Sequence, residues 1–472
     1  MNFDKLHEEC AVFGVSIRPD SKSSEAAGIC YNALLSMQHR GQEGAGIAVS
    51  DGSAITCIKD EGLVSEVFLP ETMEKIPKSR QGIGHARYST TGSNTIHNVQ
   101  PFVTEYLTGR IATVHNGNVT NARELKERLT HFGLNFSATS DSEVISSLIA
   151  YRTIRSGNLF TGVKEAAKLL QGSFSLIVLG GNHSIVAIRD GCGYRPLCIG
   201  ENDYGVAVAS ESCALDNCGF RFVRDVQPGE AVLIEDGRVV HSEMCLREAR
   251  RSMCVFEYVY FARSDSVLDG QSVYEARVNM GRQLAKEHPV EADLVCGVPD
   301  SGLDAAIGYA MESGIPLGTG FVKNSYIGRS FIFPTQEQRE NAVNMKLTPL
   351  RAAIDGKRVV LVDDSIVRGT TSLRTINAVR RAGAKEVHMR ISAPPFRHTC
   401  YFGTDIGHED TLLANQLGIE EIREKIGADT LGYISVEGLI DACSKCSLDF
   451  CTGCFTGEYA TKVGECKKDS ME

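Results

Sequence analysis

From residue 10 to about residue 241, the apolar positions gather in short runs separated by polar and glycine-rich breaks: CAVFGVSI, GIAVS, ITCIKD, SFSLIVLG, SIVAIRD, GVAVAS and AVLIEDGRVV. Such runs, rich in Val and Ile, predict strands. Helical spacing interrupts them at 122–132, 141–154 and 163–170. Strand runs on either side of a helical block predict an α+β layered domain. From about residue 293 the rhythm becomes strand, helix, strand, helix: DLVCGVP, GLDAAIGYAMESG, RVVLVDD, SLRTINAVRRAGA, EVHMRIS. That alternation predicts a parallel sheet with right-handed crossovers. Residues 273–287 have helical spacing and pack the two halves together, and a helical stretch over 410–426 leads into a cysteine-rich tail.

The most telling run is VVLVDDSIVRGTTS, residues 359–372. Its unbroken apolar start suits a strand buried on both faces of a parallel sheet. Asp363 and Asp364 then fall where the strand ends, and open α/β sheets bind ligands outside the carboxyl ends of their strands. Arg368 and the small or hydroxyl residues Gly369, Thr370, Thr371 and Ser372 follow, able to donate to a phosphate as a helix over 373–381 begins. The plain alternative is a strand, turn and helix with acidic caps. A P-loop is excluded, because no GxxxxGK[ST] occurs in the chain. The complete run resembles the phosphoribosyl pyrophosphate loop of type I phosphoribosyltransferases.

A chain of 472 residues predicts two or three domains at roughly 150 residues each. The formal net charge of −10 and the absence of dense Lys/Arg runs argue against a nucleic-acid binder. No apolar stretch approaches the roughly 18 residues of a membrane span, and MNFDKLHEEC lacks the pattern of a secretory signal. A cytoplasmic protein is expected, in which sixteen cysteines point to thiolate chemistry or metal ligation rather than a disulfide framework.

Cys10 stands directly before the first strand run. It is either a buried structural thiol or a residue exposed as a new N-terminus by cleavage between Glu9 and Cys10. A free α-amino group, with an ordinary pKa of roughly 7.7–8.0, would accept the thiol proton and make one residue both nucleophile and base. Cys10, the HRGQEGAGIA run from His39, HARYSTTG from His85, HNGNV from His115 and TSDSE from Thr139 together resemble the glutaminase domain of class II glutamine amidotransferases. The resemblance implies an N-terminal nucleophile hydrolase sandwich, αββα. It also implies an oxyanion hole from the Asn116 side chain and Gly117 N–H, with Arg87 on the glutamine carboxylate and Asp141 on its α-amino group. Taken singly, Asn116-Gly117 also reads as a hairpin turn, Arg87 as a surface cation and Asp141 as a helix cap.

The phosphoribosyltransferase resemblance places pyrophosphate at Asp300, Ser301 and Gly302 in VCGVPDSG, and magnesium at Ser301, Asp363 and Asp364. Lys323 and Arg329 belong to KNSYIGRSFIFPTQEQRE, which resembles the lid loop of that family. An exposed basic loop is the plain alternative.

In the tail, Cys443, Cys446, Cys451 and Cys454 form two C-x-x-C pairs, spaced closer than in a zinc ribbon. The chain as a whole resembles the glutamine phosphoribosylpyrophosphate amidotransferase family. One branch of it carries a [4Fe–4S] cluster, at positions matching Cys254, Cys400, Cys451 and Cys454. A local site of the four tail cysteines is the rival. The resemblance implies conversion of glutamine, water and phosphoribosyl pyrophosphate to phosphoribosylamine, glutamate and pyrophosphate, opening purine synthesis. It further implies a homotetramer inhibited by purine nucleotides. The expected layout is a propeptide at 1–9, the glutaminase domain at 10–245, an α/β type I phosphoribosyltransferase domain at 246–440, and a cysteine-rich segment at 441–472 packed on the domain interface. Two other readings are a glutaminase feeding a sugar isomerase, disfavoured by the 359–372 loop, and a DNA-binding purine regulator, disfavoured by the Cys10 set and the acidic balance.

Overall fold

The structure is a computed structural model that describes residues 10–22, 25–88, 95–107, 109–248, 250–324 and 347–461. Two antiparallel sheets stack face to face in the first half. One runs in the order Arg221–Asp225, Cys198–Asn202, Gly205–Ala209, Ala11–Ile17, Gln81–Arg87, Gly44–Ser50, Ile55–Glu61. The other runs Arg238–Met244, Glu230–Glu235, Ser184–Arg189, Gly172–Gly180, Gly109–Val119, Phe102–Tyr106. Successive side chains of a strand face opposite ways. Accordingly Ala11, Phe13, Val15 and Ile17 pack outward with the helix Ala26–Ser36, while Val12 joins Ile83, Val114 and Ile177 between the sheets. Both faces of the strand are covered, which is why CAVFGVSI is almost wholly apolar. The second sheet is covered by the helices Ala122–His131, Asp141–Ser156 and Leu159–Ala167. The layers are therefore αββα, as expected. The third helix starts and stops earlier than 163–170: the Asn158 side chain accepts the Thr161 N–H at 3.0 Å and caps it there.

The second half holds a parallel four-stranded sheet ordered Leu294–Gly297, Arg358–Asp363, Glu386–Ile391, Thr430–Tyr433. In its central strand Val359 and Leu361 enter one core while Val360 and Val362 enter the other. Its unbroken apolar run reflects this burial on both faces. The helix after it spans Thr370–Arg381, three residues earlier than 373–381, because Gly369 takes the left-handed conformation (φ +84°) and sets the turn at the hydroxyl residues. The stretch over 410–426 is broken into a 3₁₀ turn, Glu409–Thr411, and two short helices, Leu413–Gln416 and Ile419–Ile426. The break falls at Leu417-Gly418.

A short π-helical segment, Glu257–Phe261, and the helix Val273–Glu287 lead from one half to the other. The two halves are joined by buried ion pairs. Arg189 donates to both carboxylate oxygens of Asp269 at 2.9 and 2.8 Å, and to the backbone carbonyls of Gly193, Arg195 and Val226. The tail returns to the start of the second half, where Asp449–Cys451 pairs in parallel with Ser252–Cys254. Among the described residues no helix is long and apolar enough to cross a membrane.

Candidate active sites

Cys10 lies immediately before the strand Ala11–Ile17, and its thiol donates to the Tyr88 carbonyl at 3.4 Å. Its own carbonyl accepts from Arg40 Nε at 3.1 Å. Arg40, in the turn after the first helix, is fully buried and pairs with Glu211 at 2.7 Å and Glu257 at 2.9 Å. Burial disfavours its charge, but Glu257 and Glu211 outweigh that and hold the guanidinium above its ordinary value. Glu211 in turn is favoured by burial to stay protonated, yet His39 and Arg40 keep it well below the usual carboxylate range. It also accepts from the Arg263 N–H at 2.9 Å and the Ser266 hydroxyl at 2.7 Å. Two arginines and two carboxylates, Arg40, Arg195, Glu211 and Glu257, thus balance one another inside the protein.

Asn116 and Gly117 sit within the strand Gly109–Val119, in register with Ser175 and Phe174, so HNGNV is not a hairpin turn. Neither polar atom of the Asn116 side chain, which is 1% exposed, has a hydrogen-bond partner. Gly117 has φ +141°, and a Cβ there would lie 2.2 Å from the Ser173 carbonyl oxygen. No other residue fits that place.

Behind the strand is a buried polar network. His115 Nδ1 lies 3.1 Å from Ser142 Oγ, and the His115 N–H donates to Gln100 Oε1 at 2.6 Å. His85 lies 3.2 Å from the His115 carbonyl; burial pushes its imidazole down to about 3, so it is neutral. Asp141, the first residue of its helix, accepts from the Val119 N–H at 2.9 Å and the Ser142 hydroxyl at 3.2 Å. Burial raises its pKa, but His115 and these donors prevail and keep it ionised. These contacts use part of a carboxylate's roughly four acceptor sites. Arg87 ends the strand Gln81–Arg87 and is buried rather than a surface cation. Burial lowers its pKa, opposed first by the Cys10 thiol and then by Glu43 and Glu61.

In the second half, Asp363 ends the central strand and Asp364 follows; both are buried. The Ser301 hydroxyl donates to Asp364 Oδ2, the Ser365 hydroxyl to Oδ1, and the Asp364 N–H to Asp363 Oδ1 at 3.0 Å. Ser301 and the acid pair, separate in sequence, are thereby brought to one place. Gly302 opens the helix Gly302–Ser313, where a Cβ would lie 2.3 Å from the Val362 carbonyl oxygen. Asp300 and Lys323 pair with each other and are exposed. Thr370, Thr371 and Ser372 form the first turn of their helix, whose N–H groups have no partner within the helix. Arg368 is half-buried beside them. Arg329 lies outside the described residues.

No disulfide links the described cysteines. Cys454 interacts electrostatically with Cys400, Cys254 and Cys451, and burial pushes its thiol well up. Cys254 and Cys451 are direct partners across a strand pair. Cys443 interacts with Cys446 instead, and both act on the Tyr258 hydroxyl. The tail cysteines therefore divide into two sets, whereas a local site of all four would need them together. Among the described residues no group of three or more His, Cys, Asp or Glu is gathered so as to hold a metal ion as it stands.

Sequence reasoning reached the run containing Arg40 but gave it no part, and it missed Gln100, Arg195, Glu211, Glu257 and Arg277. Arg277 donates to the carbonyls of Tyr258 and Ala262 at 2.8 and 2.7 Å and to Ser264 Oγ at 3.1 Å, holding the segment between the halves. The only signal in the sequence was a charged residue inside an apolar helical pattern.

Comparison with known proteins gives the same two halves. A glutamine amidotransferase domain model matches residues 85–217, and a phosphoribosyl transferase domain model matches residues 265–400. The amidophosphoribosyltransferase of Methanocaldococcus jannaschii is 44% identical over 469 residues, covering 96% of this chain and 98% of that protein. The Bacillus subtilis amidophosphoribosyltransferase is 45% identical, covering 97% and 95%. Among solved structures, the allosteric regulatory enzyme of purine biosynthesis superposes with a TM-score of 0.88 at 44% identity, covering 97% of each chain. The B. subtilis glutamine phosphoribosylpyrophosphate amidotransferase complexed with ADP and GMP gives 0.87 at 44% identity, covering 97% and 98%. An N-terminal glutamine amidotransferase sandwich joined to a parallel-sheet phosphoribosyltransferase, matched along nearly its whole length, makes this chain an enzyme of the amidophosphoribosyltransferase family, which serves the first step of purine biosynthesis.

Proposed function

We propose that Cys10, freed as the N-terminal residue by loss of residues 1–9, attacks glutamine, and that the ammonia released displaces pyrophosphate from C1 of phosphoribosyl pyrophosphate to give phosphoribosylamine. The observation that carries this reading is the buried Asn116 amide with neither polar atom satisfied, beside a Gly117 peptide that tolerates no side chain. Leaving a buried polar group unmade costs about 1–3 kcal/mol. A developing oxyanion would engage such a donor and so turn that cost into transition-state stabilisation.

The α-amino group of Cys10 takes the thiol proton and passes it to the departing ammonia; water then frees glutamate from the thioester. Arg87 grips the glutamine carboxylate and Asp141 its ammonium. In the second half Asp363 and Asp364 hold the ribose hydroxyls. Arg368 and the 369–372 turn hold the 5-phosphate, and Asp300, Ser301 and Gly302 border the pyrophosphate. Lys323 and Arg329 supply countercharge.

The oxygen donors of Ser301, Asp363 and Asp364 suit magnesium, which neutralises phosphate charge when bound. The thiolates of Cys254, Cys400, Cys451 and Cys454, which interact with one another, are of the kind a [4Fe–4S] cluster takes, and such a cluster would tie the tail to the second half. In this reading the domains are 10–245, 246–440 and 441–472. Purine nucleotides act as feedback inhibitors of a cytoplasmic homotetramer, in keeping with the ADP and GMP on the B. subtilis enzyme.

The test is Cys10→Ala assayed with glutamine and with ammonia, together with mass spectrometry of the wild-type N-terminus. Glutamine-dependent product is lost and ammonia-dependent product retained. Loss of both in a folded variant would refute two separable sites.

A further inference from the structure

The domain model for the glutaminase ends at residue 217, yet two elements from the second half reach into its site. The first is Glu257. Its carboxylate, fully buried, accepts from Arg40 Nη1 and Nη2 at 2.9 Å each and from Arg195 Nη1 at 3.4 Å. Arg40 holds the Cys10 carbonyl. The second element is the segment around Gly403. Arg195 Nη2 donates to the Phe402 carbonyl at 2.7 Å and to Thr404 Oγ1 at 3.3 Å. That grip presses Gly403 (φ +108°) onto the strand that carries Asn116 and Gly117, so that a Cβ at Gly403 would lie 3.2 Å from the Gly117 carbonyl carbon and 3.1 Å from Arg195 Nη2. The neighbouring Tyr401 carbonyl accepts from Asn118 Nδ2 at 2.8 Å.

We infer that Glu257 is a positioning residue for the glutaminase site: through Arg40 it fixes the Cys10 backbone, and through Arg195 it fixes the 402–404 segment against the Gly117 peptide. One carboxylate then sets the nucleophile and the oxyanion hole relative to each other. The inference rests on the reading of Asn116 and Gly117 as the oxyanion hole. Reacting groups and hole donors all come from the first half. The carboxylate and the segment that hold them in register, acting through Arg40 and Arg195, come from the second. An interdomain contact of this kind makes glutamine hydrolysis depend on the acceptor half even though no acceptor-half side chain touches glutamine.

The test uses the full-length enzyme with Gly403→Ala, Glu257→Gln and Arg195→Lys, and Asn116→Ala alongside. The readouts are kcat and KM for glutamine hydrolysis, the affinity for a γ-glutamyl aldehyde that forms a tetrahedral adduct on the thiol, and ammonia-dependent turnover. Gly403→Ala and Glu257→Gln are expected to lower kcat about 10- to 100-fold, less than complete loss of a hole donor, with KM changed less than about threefold. Aldehyde affinity falls in step with kcat, because both report the tetrahedral oxyanion. Arg195→Lys, which keeps the charge but not the fork, gives an intermediate loss. Ammonia-dependent turnover persists. Unchanged kcat in Gly403→Ala, or equal losses with glutamine and ammonia, overturns the inference. Since Glu257→Gln risks misfolding, Gly403→Ala decides. If Asn116→Ala leaves kcat intact, the oxyanion-hole reading itself fails.

Discussion

Behind Cys10 the charges are buried and paired with one another: Arg40, Glu211, Glu257 and Arg195 lie inside the protein with contacts of 2.7 to 3.4 Å. At the other site the outer charges, Asp300 and Lys323, lie at the surface, and the inward groups are strand-end carboxylates and the start of a helix. The difference follows from the chemistry each must do. A tetrahedral oxyanion is stabilised most by donors fixed beforehand in a low-dielectric place. A polyanionic substrate must first enter, so its site keeps exposed charge. One site is rigid by internal pairing; the other is completed by its ligand.

The sharpest way to break that contrast is Asn116→Ala. It should lower glutamine-dependent kcat by about 10²- to 10³-fold and leave ammonia-dependent turnover alone; parallel losses in steady-state assays would mean the sites are not independent. Next, Asp364→Asn is expected to reduce glutamine- and ammonia-dependent product alike, by about 10-fold or more, while glutamine hydrolysis without acceptor persists. Loss of hydrolysis alone would contradict the division of labour.

Stability sharpens the comparison further. Gly302→Ala puts a Cβ against the Val362 carbonyl and should cost about 1–3 kcal/mol in denaturant melts. Lys323→Ala, at an exposed ion pair, should cost less than about 1 kcal/mol.

A further test is a pH dependence in the first half. Burial, then Asp269, pushes the Asp225 carboxyl up to about 7. Its folded pKa therefore lies above an unfolded value near 3.9, so the folded state holds the extra proton. The associated stability is full below the unfolded pKa and is lost as pH rises through about 7. Asp225→Asn should then gain about 2–3 kcal/mol on the wild type at about pH 8 relative to about pH 5, read from thermal melts at both. A pH-independent difference would remove Asp225 as the cause.

The layered sandwich and the parallel sheet were legible because they depend on local patterns. VVLV followed by two aspartates encodes a buried strand and its ligand end within one stretch. The Gly369 turn was legible as a loop, but not as a helix start, because the gain from its left-handed φ is invisible without the backbone. The Arg40–Glu257 and Arg195–Phe402 contacts were not legible at all. Their partners lie far apart in sequence, and an arginine in a polar context reads as a surface cation until its burial is known. The division of the tail cysteines was reached only through resemblance, since spacing alone allowed either set.

The return of residues 402–404 to the strand bearing Gly117 has a consequence for how the protein is made. Translation delivers Cys10, Arg87, Asn116 and Asp141 early and the clamping segment late. A nascent or prematurely terminated chain thus carries every reacting group for opening glutamine without the brace that aligns them. If the brace acts as inferred, such a chain opens glutamine slowly until the half bearing Asp363 and Asp364 has also been made, so an unfinished molecule squanders little of the cell's glutamine.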